Sequence, residues 1–98
     1  MDVEFRTRRL ERCFEREDLA IREWGSVVGL RYIERVRTLV RAQGFEYLYG
    51  FRALAFHPLR GDRRGQYALR LTGRMRPIVE RGNEPDTVIV VEVVDYHD

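Results

Sequence analysis

The sequence contains no lysine, a single cysteine and only two histidines. All 18 basic residues are arginine, and with 16 acidic residues among 98 the formal net charge is +2. Cys13 alone excludes an internal disulfide, and the two histidines leave too few ligands for a Cys/His zinc site. Arginine suits phosphate recognition because its planar donors match phosphate oxygens, although a GC-rich genome gives the same bias. We therefore expect no metal and no cofactor. The exclusive use of arginine is explained equally well by phosphate recognition and by a GC-rich genome.

Long hydrophobic runs are also missing. An apolar run such as Val88–Val91 has the length of a buried strand, whereas a membrane span needs ~18 residues. The amino terminus has no apolar stretch typical of a signal peptide, so nothing predicts export. With 44% hydrophobic and 35% charged residues, the chain has a globular composition. Its length predicts one domain over residues 1–98, located in the cytoplasm without membrane contact.

Charge is unevenly distributed along the chain. Residues 52–81 contain eight arginines against Asp62 and Glu80, a net charge of +6, whereas residues 82–98 contain five acidic residues and no arginine. A basic stretch followed by an acidic one fits an anionic ligand bound over the middle of the chain. A solvated charged surface fits equally well, and charge alone does not separate the two.

The first half of the chain has helical periodicity. Val3–Phe5 fits a short opening strand, and from Thr7 onwards an apolar stripe recurs at helical spacing. The stripe consists of Leu10, Cys13 and Phe14. This helix either continues to Trp24 or breaks near Asp18, and Gly25 ends it.

A second helix follows directly. Ser26 suits its N-cap and Gly44 its C′ position, and the apolar positions between them are Leu30, Ile33, Val36, Leu39 and Val40. Two amphipathic helices joined at Gly25 and Ser26 predict a helical hairpin.

After Gly50 the periodicity changes to two, which is typical of strands. We expect strands over residues 53–57, where Leu54 and Phe56 alternate with small residues, and over residues 67–72. Residues 57–65 contain a proline and two glycines and are predicted to be a loop.

The strands continue to the end of the chain. Gly73 and Arg74 suggest a two-residue hairpin turn that begins with glycine. In the next strand, Met75–Glu80, Pro77 costs a ladder donor and suggests an edge strand or a bulge. Thr87–Val94 is almost entirely apolar and is expected inside the sheet with both faces covered. Helices followed by an antiparallel sheet predict an α+β fold.

Three places carry side chains able to do chemistry. The first place follows the most apolar strand and consists of Asp95, Tyr96 and His97. Asp95 can accept a proton, Tyr96 can stack on a base and His97 can transfer a proton near neutral pH, which fits RNA chemistry. A frayed chain terminus is the alternative.

The second place is His57 with three loop arginines, Arg60, Arg63 and Arg64. Guanidinium groups can hold a phosphate while imidazole transfers a proton, and an arginine-rich surface loop is the alternative.

The third place is Arg76. If Met75 points into the core, strand alternation sends Arg76 to the other face, alongside Arg74. A strand-held arginine can brace a pentavalent phosphate, and an ordinary exposed arginine is the alternative.

Together these segments resemble the HigB-type toxins of the RelE/ParE superfamily, which belong to type II toxin–antitoxin systems. The resemblance rests on residues 57–67 (HPLRGDRRGQY), 71–76 (LTGRMR) and 94–97 (VDYH), and it extends over nearly the whole chain. It implies a microbial-RNase-like fold, with an N-terminal helical hairpin packed on a mostly antiparallel sheet. It also implies a ribosome-dependent mRNA endonuclease that uses the substrate 2′-OH and needs no metal. The implied partners are a helix-turn-helix antitoxin, mRNA in the ribosomal A site, and ribosomal RNA.

The resemblance also assigns residues. The family's catalytic positions match His57, Arg76, Asp95, Tyr96 and His97, and its loop basic residue matches Arg60. RNA contacts are expected from Arg60, Arg63, Arg64 and Arg74. The implied roles are proton transfer by Asp95, His57 or His97, and transition-state stabilisation by Arg76 and Arg60.

Two positions depart from the family pattern. Met75 replaces the usual tryptophan before the strand arginine, and Pro77 replaces an aliphatic residue. The alternatives are a gyrase-poisoning toxin of the same superfamily, which the retained catalytic set disfavours, and an antitoxin-binding module with weak or no catalysis, which Pro77 favours.

Overall fold

The computed structural model describes residues 1–96, so His97 and Asp98 lie outside the described part of the chain. The elements in order are β1 (Asp2–Phe5), α1 (Arg8–Glu15), α2 (Glu17–Arg41), β2 (His57–Pro58), β3 (Gln66–Ala68), β4 (Met75–Arg81) and β5 (Thr87–Asp95). Short 3-10 turns occupy Phe45–Gly50, Arg52–Leu54 and Gly61–Arg63. The predicted α+β class is confirmed.

The five strands form one sheet in the order β1-β5-β4-β3-β2. Within residues 1–96 the β1–β5 pair alone is parallel, so the sheet is mostly antiparallel, as expected. Pro77 lies in β4, between β5 and β3, and the prediction of an edge strand is therefore wrong. The β4–β5 register does shift between Ile78 and Val79, but the extra residue is Val91 of β5, and Pro77 itself is regularly paired with Val93.

The range of α2 contains two helical segments that are separated at Gly25, and the helical hairpin turns there, where the sequence predicts. Gly25 has φ 85° and ψ 167°, a backbone conformation that is essentially restricted to glycine. This residue reverses the chain, so that Gly29 lies against the backbone of Ala20 and the rings of Trp24 and Tyr32 have centroids 4.6 Å apart.

The helix ends differ from the sequence prediction in detail. The break before α2 falls at Arg16, which is extended (φ −131°, ψ 117°) and lies two residues before Asp18, so the predicted break near Asp18 is confirmed. At the hairpin turn the non-helical residue is Gly25, so Ser26 is not the N-cap. The second helix ends at Arg41 with Ala42 as its C-cap, so Gly44 is not the C′ residue.

The hydrophobic core lies between the helices and one face of the sheet. Its fully buried members include Tyr32, Leu39, Leu48, Val79 and Val90. The Tyr32 hydroxyl donates to the Leu10 carbonyl at 2.8 Å, and burial raises the pKa of Tyr32 above its ordinary value. No helix within residues 1–96 combines the length and the apolar composition that a bilayer span requires.

One predicted strand is replaced by a turn, another is shorter than expected, and β2 lies within residues 57–65, for which the sequence predicts a loop. In place of a strand over residues 53–57, Arg52–Leu54 is a 3-10 turn and Ala55 is left-handed (φ 46°). β3 ends at Ala68 rather than at residue 72, because Pro77 opposite Leu69 has no N–H to continue the ladder, although Leu69 still donates to the Pro77 carbonyl at 2.9 Å. The β3–β4 turn lies at Gly73 and Arg74 as predicted, but neither has the positive φ of that turn type.

β5 is inside the sheet but is not covered on both faces. Thr87, Val88 and Val90 are buried, whereas residues 91–94 are only half-buried. The helices cover one face of the sheet only, so the prediction of full burial is wrong for the second half of β5.

Candidate functional site

The sheet face opposite the helices carries polar side chains, and we call it the polar face. Val79 and Val90 are paired and belong to the core. Their neighbours Glu80 and Ile89 therefore point the other way, together with Gln66, which is paired with Glu80. The functional side chains can be placed relative to this face.

His57 lies on the polar face at the β2 edge of the sheet. It is paired with Ala68, which is paired with Ile78. Ile78 is two residues from Glu80 in β4, so these side chains point to the same face as Glu80, although Ala68 and Ile78 are fully buried. The His57 side chain is exposed, and its Nδ1 lies 2.8 Å from the carbonyl oxygen of Ala55. Because a carbonyl only accepts, Nδ1 carries a proton, and Nε2 is the atom left for proton transfer.

Arg76 lies on the same face. Met75 packs against the core, so strand alternation directs Arg76 away from it, as predicted. The Arg76 guanidinium folds back over the hairpin turn and donates to the carbonyls of Thr72 and Met75. From the sheet spacing, the Cα atoms of His57 and Arg76 are roughly 12 Å apart, with the fully buried Ala68 and Ile78 between them on this face.

Asp95 and Arg74 join the end of β5 to the β3–β4 turn. Arg74 donates to both oxygens of the Asp95 carboxylate, at 3.1 and 3.0 Å, and its carbonyl accepts from the Tyr96 N–H at 2.9 Å. A depression of about 370 Å³ beside this pair is lined by Thr72, Gly73, Arg74, Met75 and Asp95. The structure thus brings Asp95 and Tyr96 to the Arg76 end of β4, but Asp95 is paired with Met75 and therefore lies on the core side of the sheet, opposite Arg76. His97 falls outside the described residues.

The three loop arginines differ in their surroundings. Arg63 donates to Gln66 at 2.8 Å and to Glu92 at 3.2 Å. Arg60 and Arg64 are exposed, and within residues 1–96 no side-chain hydrogen bond or ion pair involves either of them. Of these loop residues, Arg60 and Arg64 hold positive charge that is not already paired with a carboxylate.

Sequence reasoning missed a polar network that crosses the polar face. Arg6 and Gln66 both donate to Glu80 at 2.8 Å, and Arg63 links Gln66 to Glu92. The available signal was the presence of Glu80 and Glu92 within otherwise apolar strands. In the described residues 1–96, no three His, Cys, Asp or Glu side chains are grouped so as to hold a metal ion.

A helical hairpin on one face of a mostly antiparallel five-stranded sheet, with the polar face left open, defines the RelE-like toxin fold. One similar solved structure is the YoeB/ParE toxin from Agrobacterium tumefaciens, with a TM-score of 0.65 and 14% sequence identity over 99% of this chain and 100% of that chain. Another is the YoeB–YefM complex from Staphylococcus aureus, with a TM-score of 0.62 and 11% identity over 100% of this chain and 98% of that chain. The toxin–antitoxin complex RelBE2 from Mycobacterium tuberculosis is also similar, with a TM-score of 0.52 and 19% sequence identity over 97% of this chain and 96% of that chain.

The similarity is one of fold. No protein-family model matches the sequence, and no curated protein matches it either. At these identities the comparisons show that the chain has the fold of these toxins, and the chemistry must be argued from the chain's own residues.

Proposed function

We propose that this protein is a HigB-type toxin that cleaves mRNA on the ribosome in the cytoplasm. The observation that carries the proposal is the placement of His57 and Arg76 on the sheet face opposite the helices, with Nε2 of His57 left for proton transfer. The fold shared with toxins of toxin–antitoxin complexes supports an antitoxin as its partner, and we propose that this antitoxin is a helix-turn-helix protein.

The proposed chemistry is a transfer of the phosphodiester within the substrate. His97 takes the proton of the 2′-OH, and the 2′-oxygen attacks the adjacent phosphorus; Asp95, which pairs with Met75 on the core side of the sheet, positions Arg74. The bond from phosphorus to the 5′-oxygen breaks, and His57 protonates the leaving oxygen through Nε2. The products are a 2′,3′-cyclic phosphate and a 5′-OH end, and neither a metal nor a cofactor takes part.

Positive charge supports this step. Arg76 lies on the strand beneath the scissile phosphate and stabilises the dianionic transition state, assisted by Arg60 from the loop. Tyr96 stacks on a neighbouring base, and Arg64 binds a flanking phosphate. Arg63 and Arg74 contact RNA once the substrate displaces their carboxylate partners.

A second candidate is an antitoxin-binding module with weak catalysis. Arg63 and Arg74, two of the four arginines expected to contact RNA, are bound to Glu92 and Asp95. Pairs of this kind neutralise the charge that a nucleic acid would otherwise meet, and they favour this alternative over a fully exposed RNA site.

Expression in cells separates the candidates. The protein and its Arg76→Ala variant are induced without a partner, and growth, mRNA integrity and the DNA-damage response are followed. The proposal expects arrest with cleaved mRNA for the wild type and growth for the variant. Arrest with a DNA-damage response and intact mRNA would indicate a gyrase poison, and normal growth with folded wild-type protein would indicate the binding module.

A further inference from the structure

The segment between α2 and β2 exposes three aromatic rings within five residues. Tyr47, Tyr49 and Phe51 are 59%, 52% and 40% exposed, while Phe45 and Leu48 of the same segment are buried. The buried pair anchors the 3-10 turn at one side and leaves the other side facing outwards. We call Tyr47, Tyr49 and Phe51 the aromatic platform.

The platform is attached to a packed group of rings. Tyr49 lies edge-on to Phe56, with centroids 4.8 Å apart at 78°, and Phe56 stacks on Tyr67 at 5.0 Å and 5°. Phe45 contacts both of these rings, at 5.3 and 4.8 Å. Tyr49 is therefore held in a fixed orientation although half of its surface is exposed.

Exposed arginines follow the platform along the chain, while the acidic residue next to Tyr47, Glu46, is paired with Arg81. Arg52 follows Phe51 directly, and Arg60 and Arg64 lie on the loop beyond β2; all three are exposed. Among the residues that the structure describes, none of these three guanidinium groups takes part in a side-chain hydrogen bond or ion pair. Exposed rings beside uncommitted arginines are the combination with which proteins bind single-stranded nucleic acid.

We propose that the aromatic platform binds unpaired bases of the RNA strand, while Arg52, Arg60 and Arg64 bind its phosphates. Tyr49 contacts Phe56, whose chain neighbour is His57, so the platform borders the sheet edge that carries the proposed proton donor. The inference rests on the proposed function, because it assigns a second contact to the strand that is cleaved there. The charge complementarity favours RNA over a protein partner for this surface.

The test is equilibrium binding without ribosomes. Fluorescence anisotropy compares an unstructured 12-nucleotide RNA with an abasic ribose-phosphate chain of the same length, which has the same charge and no bases. The wild type is expected to bind the RNA at least roughly fivefold more tightly than the abasic chain, since stacking of one base contributes about 5- to 150-fold. The triple variant Tyr47→Ser, Tyr49→Ser, Phe51→Ser should lose this preference and bind the abasic chain as the wild type does.

Matched controls keep the test specific. The variant Val27→Ser, Val40→Ser removes exposed apolar side chains of α2, 65% and 46% exposed, and should retain the preference. Thermal melting followed by circular dichroism shows that each variant is folded. If the triple variant is not folded, Tyr47→Ser alone is measured instead, because Tyr47 makes no ring contact among the described residues.

Equal binding of both oligonucleotides by the wild type overturns the inference, as does a folded platform variant that keeps the preference. A platform variant that keeps it but loses self-association in light scattering assigns the surface to a second copy of the chain.

The proposed function fails separately. If the wild type cleaves ribosome-bound mRNA but shows no base preference here, the platform is wrong and the nuclease stands. If it shows the preference but never cleaves, the platform stands and the nuclease is wrong.

Discussion

Arginine side chains of the same charge have different surroundings in this molecule. Arg31 and Arg35 donate to the carbonyls of Leu71 and Arg70, at 3.0 and 2.9 Å, and join α2 to the chain between β3 and β4. Arg63 binds Glu92, and Arg60 is uncommitted within residues 1–96. The number of arginines in the sequence does not distinguish these roles, because each depends on a partner from a distant segment.

Replacing Arg76 by alanine tests its assignment to the transition state. We expect the rate of cleavage of ribosome-bound mRNA to fall about 10²- to 10³-fold, by analogy with the loss of a single oxyanion donor. Substrate concentration for half-maximal rate should change little, because the interaction is made in the transition state. Single-turnover kinetics give both values. Arg22→Ala, which removes an exposed arginine of α2, is the control, and an equal loss in both variants would contradict the assignment.

Glu92→Gln tests whether the polar network holds Arg63 away from RNA. Without the carboxylate, Arg63 is free to bind a phosphate, so affinity for single-stranded RNA should rise several-fold and the salt slope should steepen by about one counterion. Anisotropy titrations at several salt concentrations measure both quantities. Glu11→Gln makes the same charge change on the exposed side of α1. If it produces the same gain, the effect is one of net charge and the explanation through Arg63 is wrong.

Tyr32 predicts how stability depends on pH above neutrality. Burial raises its pKa, so the folded protein keeps the proton that the unfolded chain loses above pH ~10. Stability is therefore complete below that pH, and the free energy of unfolding falls above it by up to about 1.4 kcal/mol per pH unit. Tyr32→Phe should cost about 0.5–1.5 kcal/mol near pH 7 for the lost hydrogen bond and should reduce the alkaline slope. Urea unfolding between pH 7 and 11 measures this, and an unchanged slope would refute it.

The helical hairpin depends on close backbone packing at its turn. A Cβ on Gly29 would lie 2.7 Å from the carbonyl carbon and oxygen of Ala20, and the two helical segments would have to separate. Gly29→Ala should therefore lower the free energy of unfolding by about 1–3 kcal/mol, measured by urea denaturation.

Gly50→Ala is the matched control, since a Cβ there would meet nothing within 4 Å and the change should stay within about 0.5 kcal/mol. A Gly29→Ala protein as stable as the control would show that the two segments are not packed as described.

The elements differ in how far the sequence predicts them. α1, the Gly25 turn and β5 follow from periodicity, a glycine and a β-branched run, which are local signals. The strand expected around Leu54 and Phe56 is wrong for a physical reason: left-handed Ala55 buries the residues on both sides of it, which produces the same alternation as a strand. The early end of β3 depends on Pro77 in the neighbouring strand, and a single segment does not contain that information.

The candidate site shows the same limit. The sides taken by Met75 and Arg76 could be predicted because strand alternation is a local rule. The pairing of Arg74 with Asp95 and of Arg63 with Glu92 could not, since each joins residues more than twenty positions apart. The platform was missed because exposed rings in a loop resemble core residues in sequence.

At the scale of the whole molecule, the helices cover one sheet face and the other remains available to a ligand. The polar network partly neutralises this face, and Arg60 and Arg64, which have no side-chain partner within residues 1–96, lie on the loop at its β2 edge. This distribution of charge fits an RNA strand that binds along the loop and reaches Arg76 near the end of β5. The modest net charge of +2 therefore hides a local separation of charge that favours an anionic ligand.

The most direct test of the account is the chemistry of the RNA ends made on programmed ribosomes. Purified wild-type protein is incubated with ribosomes carrying a defined mRNA, and both new ends are identified by their susceptibility to phosphatase and kinase, beside a His57→Ala control. The account predicts a 2′,3′-cyclic phosphate on the upstream fragment, a 5′-OH on the downstream fragment, and cleavage about 10²- to 10⁴-fold slower for the variant. Intact mRNA with the folded wild-type protein, or equal cleavage by the variant, would contradict it.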